Sequence, residues 1–593
     1  MMNKTYILAV AALCAGAALR AQNLNPTVEV TRTYESKDLN INKGTVPMNV
    51  PDSLLRFDTD FDYSVFGNPY KGAYEFSPYL MNMKPQREGF PGNKLYVRAG
   101  AGYAFRPEAD IVFSPILDGA FQMSLYGSMR GFFGDWRSVK AERDGVSTSV
   151  YDLKGDKGET FSGRDLLVRA GMDGRYGWDR GEVSFDAGYL GIGSKDPLPI
   201  PRNPVLDKMY NALDLKVRAR ALGVEAGSFF YDAGLGLRFG KDAADGKDLG
   251  ETVFSFAGSF GPVLREDMRA LVDLKADMAF YSTLVSARGT NIAATPHLLL
   301  NRDKLNLDLG FTVGFLFHDD DQLNDALPEL YTQKGQVFYP AVHASYQAIE
   351  QTLNLYADVT GGARLNTYSS LLEDNHRLVT AMCQDPTTSL LDNTVERINL
   401  RLGLRGQVLG RLHYDLSGGF ASVAGGLVDA MVDVNELATT VPQMLLGTIN
   451  WKDYNRIYVD LQAAWNSSRV AVDGGVHFNH TNVYQQDYSG VFEPSRLTGD
   501  VRAVYNWQER IFAGIWAEGA IARRGDIFSL ASGNHTEARI PGWVDLGLMG
   551  EYRYSRKLSF WAQISNLLDA TIQRHPGFAE SGISFTAGIC FKL

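Results

Sequence analysis

The sequence predicts an all-β fold: a transmembrane antiparallel β-barrel of about 22 strands with a short N-terminal periplasmic leader. Three observations predict it. The chain opens with an export signal, it alternates apolar and polar residues with period two from about residue 93 to the end, and its connections are by turns very short and long.

The export signal is Lys4 followed by an apolar run from Tyr6 to Leu19 and the cleavable Leu19-Arg20-Ala21. Residues 1–21 read as a signal peptide, and the mature chain is expected to begin near Gln22. Cys14 does not suit a lipoprotein anchor, because Leu13 stands where a small residue is needed. Cleavage leaves Cys383 and Cys590, too few for a disulfide framework or a thiolate metal site.

Residues 22–92 form a leader interrupted by Pro26, Pro47, Pro51, Pro69, Pro78 and Pro85. Proline at this spacing breaks regular structure. From residue 93 no shift in composition divides the chain, so 93–593 reads as one unit.

Period two is clearest in the last strand. Ile583, Phe585, Ala587, Ile589, Phe591 and Leu593 alternate with Ser584, Thr586, Gly588, Cys590 and Lys592. Ile398, Leu400, Leu402 and Leu404 alternate with Asn399, Arg401, Gly403 and Arg405, and every odd position from Leu305 to Phe317 is apolar. Side chains two apart share a face, so each strand has one apolar side. A soluble sandwich would show the same alternation. The connections separate the two: Leu409-Gly410-Arg411, Asn301-Arg302-Asp303, Gln508-Glu509-Arg510 and Ser555-Arg556-Lys557 are tight, whereas 135–163, 318–335, 367–394 and 525–541 are long. Short periplasmic turns opposite long external loops are the pattern of outer-membrane barrels. The count reaches about 22 if 443–466 is one strand. Tyr176, Trp465, Tyr505, Trp507, Tyr552 and Tyr554 fall near strand ends, where an interfacial aromatic girdle belongs.

Beyond the signal no apolar run is long enough for a membrane helix. A net charge of -10 argues against nucleic acid as a partner. The inward positions Asp214, Lys216, Arg218, Arg220, Arg401, Arg405, Asp545, Glu551 and Arg553 are expected to line a solvated lumen, their mixed signs giving weak ion selectivity. The loop His318-Asp319-Asp320-Asp321 with Asp325 lacks the Asp-x-Asp-x-Asp-Gly spacing and reads as a solvated acidic loop rather than a calcium site. Nucleophile elbows, His-Glu-x-x-His and phosphate loops are missing from the sequence, so neither catalysis nor a cofactor is expected.

Near the C-terminus, Trp543 to Tyr554, a short turn, Leu558 to Ile564, then Asn566-Leu567-Leu568-Asp569 and the terminal Phe591-Lys592-Leu593 resemble the barrel of a TonB-dependent receptor. Leu568 departs from the family's Asn-Leu-Phe-Asp, and Leu593 replaces the usual terminal aromatic. The resemblance implies that Phe585, Ile589, Phe591 and Leu593 are read by the barrel-assembly machinery, and that the barrel contacts outer-membrane lipid. A glutamine at the mature start and the lysine- and aromatic-rich end look like outer-membrane proteins of the Bacteroidetes group. Family members place a plug of well over a hundred residues before the barrel, a domain the leader is too short to form. The chain therefore looks like a plugless relative. Thr27-Val28-Glu29-Val30-Thr31 resembles a TonB box, suited to strand addition to a periplasmic TonB-like partner, or else to packing on the barrel's own rim. The aromatic stretches Phe61–Tyr63 and Tyr74–Tyr79 are candidates to tuck into the barrel mouth. The resemblance implies solute passage across the outer membrane; the alternative is a non-transporting structural or assembly subunit. An open lumen is expected of the first and a filled one of the second.

Overall fold

Strands with one apolar face still leave backbone donors and acceptors along their edges, and in lipid these must be paired within the protein. In the computed structural model the pairing closes on itself. The first strand, Leu95–Tyr103, runs antiparallel to the last, Ser584–Lys592, from Tyr96↔Lys592 to Tyr103↔Phe585. Leu95 N–H donates to Leu593 O at 2.9 Å and Leu593 N–H returns a bond to Leu95 O at 2.8 Å.

The structure describes residues 94–593 except 116–119, 144–149, 197–205, 223–224, 245–246, 284–286, 321–332, 378–392, 434–444, 484–489 and 530–531. The signal peptide, the leader with Thr27–Thr31, and Asp321, Asp325 and Cys383 lie outside the described residues.

One sheet holds 25 strands, of which 22 form the closed antiparallel wall. The other three, Val491–Phe492, Arg523–Ser529 and His535–Ile540, belong to connections. Leu445–Asn466 is a single strand, as the count of 22 requires.

The wall's outer face is apolar because alternate residues point at lipid. Ile457, Val459 and Leu461 are exposed at 52, 42 and 41%, whereas Tyr458 between them is 8% exposed. Tyr176, Trp465, Tyr505, Trp507, Tyr552 and Tyr554 are exposed near the end that carries the tight turns and both described termini. That is the periplasmic end of such a barrel. The turns there are tight because successive residues adopt left-handed backbone, Leu409 and Gly410 at φ 54° and 65°, Gln508 and Glu509 at 51° and 57°. The turn predicted at 301–303 is the two residues Asp303-Lys304, since the strand Ala287–Arg302 extends through Arg302 and the next begins at Leu305.

Wall height is uneven. Leu95–Tyr103, Glu108–Phe113, Leu558–Ser565 and Ser584–Lys592 have 9, 6, 8 and 9 residues. A first tall hairpin, Phe121–Arg143 and Tyr151–Trp178, has strands of 23 and 28 residues, and a second, Leu412–Asp433 and Leu445–Asn466, has 22 in each. The sequence reading made 135–163 a loop. It is mostly strand, paired up to Arg143↔Tyr151 with a register shift at Arg137/Ser138. Above the membrane the outward face meets water in place of lipid, so the apolar alternation that marks a strand is lost there while the pairing continues.

Lipid exposure sets the expected cost of charge. Val459→Arg on the outer face is expected to destabilise the barrel by about 2–4 kcal/mol, against roughly 0.5 kcal/mol or less for Lys216→Gln on the inner face. Denaturant unfolding from lipid vesicles reads both.

Candidate functional site

The two tall hairpins stand on opposite sides of the barrel, their strands Tyr151–Trp178 and Leu412–Asp433 being eleven positions apart in the 22-strand wall. A smaller hairpin, Arg523–Ser529 and His535–Ile540, joins them across the mouth. Val432 and Asp433 pair in parallel with Phe528 and Ser529, and Tyr151 and Asp152 with Ala538 and Arg539. Val491–Phe492 completes this strap, pairing with Asp429–Ala430 and with Gly525. At Gly525 a side chain is excluded, because a Cβ would stand 2.4 Å from Val491 O. Arg539 forks onto Asp152 at 2.8 and 3.0 Å, the two-pronged geometry that makes guanidinium–carboxylate pairs directional. Leu153, Met431, Phe492, Ile527, Ala538 and Ile540 are all buried together, so the strap has its own small apolar core.

Below it a helix, Tyr368–Asp374, lies against the inner wall. Thr367 and Ser370 form a reciprocal capping box that starts this helix of about two turns. Tyr368, Leu371 and Leu372 pack on Leu190, Ile192, Tyr210 and Leu249. Two buried carboxylates fix the helix start: Tyr368 OH donates to Asp242, and Ser369 N–H donates to Glu251 Oε1 at 3.2 Å. Glu251 also accepts from Tyr210 OH at 2.7 Å and Tyr281 OH at 2.9 Å. Glu373 meets Arg169 and Arg238, each at 2.8 Å, and Arg238 is shared with Asp214. Buried charge is tolerated here because each group meets donors or an opposite charge. Arg377 is stacked between the rings of Trp136 and Phe578.

The last connection, 566–583, folds into the same space. Asn566 N–H donates to Asp545 Oδ1 at 2.9 Å, and its side chain clamps the backbone of Ala570. Asp569 pairs with Arg137. Arg574 meets Glu518 and Glu580; burial opposes its charge, but the two carboxylates outweigh that and hold its pKa above the ordinary arginine value. Asp429 receives Arg523 at 2.6 Å and lies 3.1 Å from His575 Nδ1. Between helix, strap and last loop is a cavity of about 380 Å³, walled by Leu371, Leu427, Val428, Trp543, Arg523 and Arg574 among others.

The charged residues singled out from the sequence sit on the wall's inner face but are spread around it. Lys216, Arg218 and Arg220 alternate with exposed Leu213 and Val217, Arg401 and Arg405 with exposed Leu400 and Leu402. Arg218 is bound to Asp232 and Arg220 to Glu182, and Arg401 and Arg405 both lie over Tyr356. Arg553 lies over Phe512, 3.9 Å from Glu551. Of these residues Asp545 reaches the last loop. Phe585, Ile589 and Leu593 are exposed on the outer face and Phe591 is half-buried. His318 lies 2.9 Å from Asn393 Nδ2. Among the described residues no three His, Cys, Asp or Glu side chains cluster as metal ligands.

Tyr368, Asp242, Glu251, Asp429, Arg523, Arg574 and His575 escaped the sequence reading. They meet from strand ends and connections far apart in the chain; the one signal is Asn566-Leu567-Leu568-Asp569, whose ends anchor the last loop.

No family model and no curated protein matches the sequence. Solved structures do match in fold. The FrpB iron transporter from Neisseria meningitidis superposes with a TM-score of 0.60 at 10% identity, over 85% of this chain and 82% of that one. The ferripyoverdine receptor of the Pseudomonas aeruginosa outer membrane gives 0.57 at 11%, over 86% and 73%. The ferric-catecholate import receptor Fiu from E. coli K12 gives 0.55 at 10%, over 84% and 82%. The chain is thus a 22-strand antiparallel barrel that structurally resembles TonB-dependent outer-membrane receptors.

The helix depends on the Tyr368–Asp242 bond. Tyr368→Phe is expected to cost about 1.5–3 kcal/mol, the range for a hydrogen bond to a charged group, and to speed hydrogen exchange at the Leu371 and Leu372 amides by roughly tenfold or more, since 1.4 kcal/mol is tenfold. Unchanged exchange would show that the helix is held by packing alone.

Proposed function

We propose that this chain is an outer-membrane transport barrel that closes its own external mouth, passing solute through a charged, solvated lumen when the strap and the loops beneath it release. The observation that carries this reading is the strap's thin attachment. Each parallel seam to a tall hairpin is two residue pairs long, whereas the wall strands are joined by runs such as Arg143↔Tyr151 to Phe121↔Tyr176. A net contribution of about 1 kcal/mol per hydrogen bond makes such seams far easier to open than the wall. Likeness to an iron transporter and a ferripyoverdine receptor supports transport as a class; at 10–11% identity it carries no ligand across.

In this reading the wall charges Lys216, Arg218, Arg401, Arg405, Asp545, Glu551 and Arg553 line the solvated path. Residues 22–92 form a periplasmic leader in place of a plug domain, and Thr27–Thr31 adds as a strand to a TonB-like partner. Phe585, Ile589, Phe591 and Leu593 present the last strand to the assembly machinery. A second reading, a structural subunit of an outer-membrane complex, is favoured by the same packed loops, which fill part of the mouth.

Conductance separates the two. Replacing residues 523–540 with a short Gly-Ser linker is expected to raise single-channel conductance in planar bilayers several-fold, and conductance as low as that of the intact barrel would favour the structural reading. For the leader, a peptide of residues 22–40 is expected to bind a purified TonB C-terminal domain, and Val28→Pro with Val30→Pro to abolish binding by removing ladder donors. A proline peptide that binds as well as the native one would end the strand-addition argument.

A further inference from the structure

The cavity between helix, strap and last loop has a lining whose charges are unevenly satisfied. Arg523 uses all three nitrogens: Nη2 on Asp429 at 2.6 Å, Nη1 on Arg574 O at 3.1 Å and Nε on Glu493 O at 3.0 Å. Arg574 is held by Glu518 and Glu580, with Asp545 4.0 Å away. His575 lies 3.1 Å from Asp429 and 3.3 Å from Asp374 O. The Asp374 carboxylate differs from these. Asp374 is a lining residue and exposed, and its carboxylate has neither hydrogen bond nor ion pair among the described residues. On the cavity wall Asp429 is matched by Arg523, and Arg574 by Glu518 and Glu580, which are not lining residues, so Asp374 is the lining carboxylate left without an opposite charge among the described residues. The nearby Arg377 lies between the rings of Trp136 and Phe578 and is not among the lining residues. Glu373 of the same helix is matched by Arg169 and Arg238.

Leu371, Leu427, Val428, Pro494, Ala520 and Trp543 give the cavity its apolar surface, with the uncharged polar residues Asn375, Ser495, Thr498 and Gln573 between them. A cavity of this size, mostly apolar with a few convergent polar groups, is the usual form of a small-molecule site. An anion entering it would meet guanidiniums already paired with carboxylates and, on Asp374, a carboxylate with no partner among the described residues. A cation would find its opposite charge on Asp374, in surroundings less screening than water.

We infer that this cavity binds a small amphipathic solute carrying one cationic head, an amine or guanidinium, on an apolar, ring-sized body, with Asp374 receiving the head. The inference rests on the transport reading only in taking the cavity to be reached through the mouth.

Three probes with one skeleton and different charge test it by titration calorimetry on the full-length protein in detergent: phenylalaninamide (+1), N-acetylphenylalaninamide (0) and N-acetylphenylalanine (−1). Phenylalaninamide is expected to bind about tenfold or more tightly than N-acetylphenylalanine, tenfold being 1.4 kcal/mol. Asp374→Asn, at an exposed position that leaves the fold intact, is expected to erase that preference. Ala520→Trp, which fills the cavity, is expected to abolish binding of all three. Equal or reversed preference, no binding of any probe, preference retained in Asp374→Asn, or binding retained in Ala520→Trp would each overturn the inference. Conductance of the hairpin-replaced barrel is an independent readout, so a barrel that opens but shows no cation preference defeats this inference alone, and one that prefers the cation yet never conducts defeats the transport reading alone.

Discussion

Every backbone group that crosses the hydrocarbon must find its partner inside the protein. For a sheet this means closure, and closure here depends on the seam between Leu95–Tyr103 and Ser584–Lys592. The consequences extend beyond the membrane. Glu108–Phe113 pairs with the lower part of Phe121–Arg143 as far as Glu108↔Arg130, and backbone bonds from Gly131 to Pro107 and from Phe133 to Phe105 extend this by three residues, which leaves the taller strand's edge above Phe133 without a wall neighbour. The last connection covers part of that edge: Arg137 bridges to Ala579, and Arg106 donates to Ser581 at 2.8 Å. The segment that leads into the closing strand thus also repairs the gap that short strands leave.

The mouth follows a different logic from the wall. The wall is secured by long ladders and a lipid-facing apolar surface, the mouth by short seams, a small apolar core and paired charges. Asp242 and Glu251 are buried carboxylates and Asp429 a half-buried one, and they gather donors from segments far apart in the chain. Such groups fix a geometry sharply, because a misplaced donor leaves a buried charge without compensation. They also allow release as a unit, since water can replace each partner once the cluster opens. In the proposed transport reading the cylinder is the fixed conduit and the strap its separable closure, while the lumenal helix packs on one side of the wall.

The wall was legible from sequence because period two is a local property enforced by two solvents at once. Ile457, Val459 and Leu461 had to be apolar and Tyr458 had to face inward whatever the rest of the chain did. Tight turns such as Leu409-Gly410 were legible for the same reason. Above the membrane this constraint disappears, so 135–163 read as loop although its strands continue, and Arg523–Ser529 with His535–Ile540 gave no sign of being a strap.

What the sequence by itself determined was therefore the barrel, its strand number and its inner and outer faces, all of which follow from neighbours in the chain meeting lipid on one side and water on the other. The tertiary structure alone decided what lies across the mouth. Asp569 meets Arg137 and Tyr368 meets Asp242 across separations of 432 and 126 residues. Such meetings depend on the circumference of the closed wall, which brings opposite hairpins within reach of one another, and no local pattern encodes a circumference.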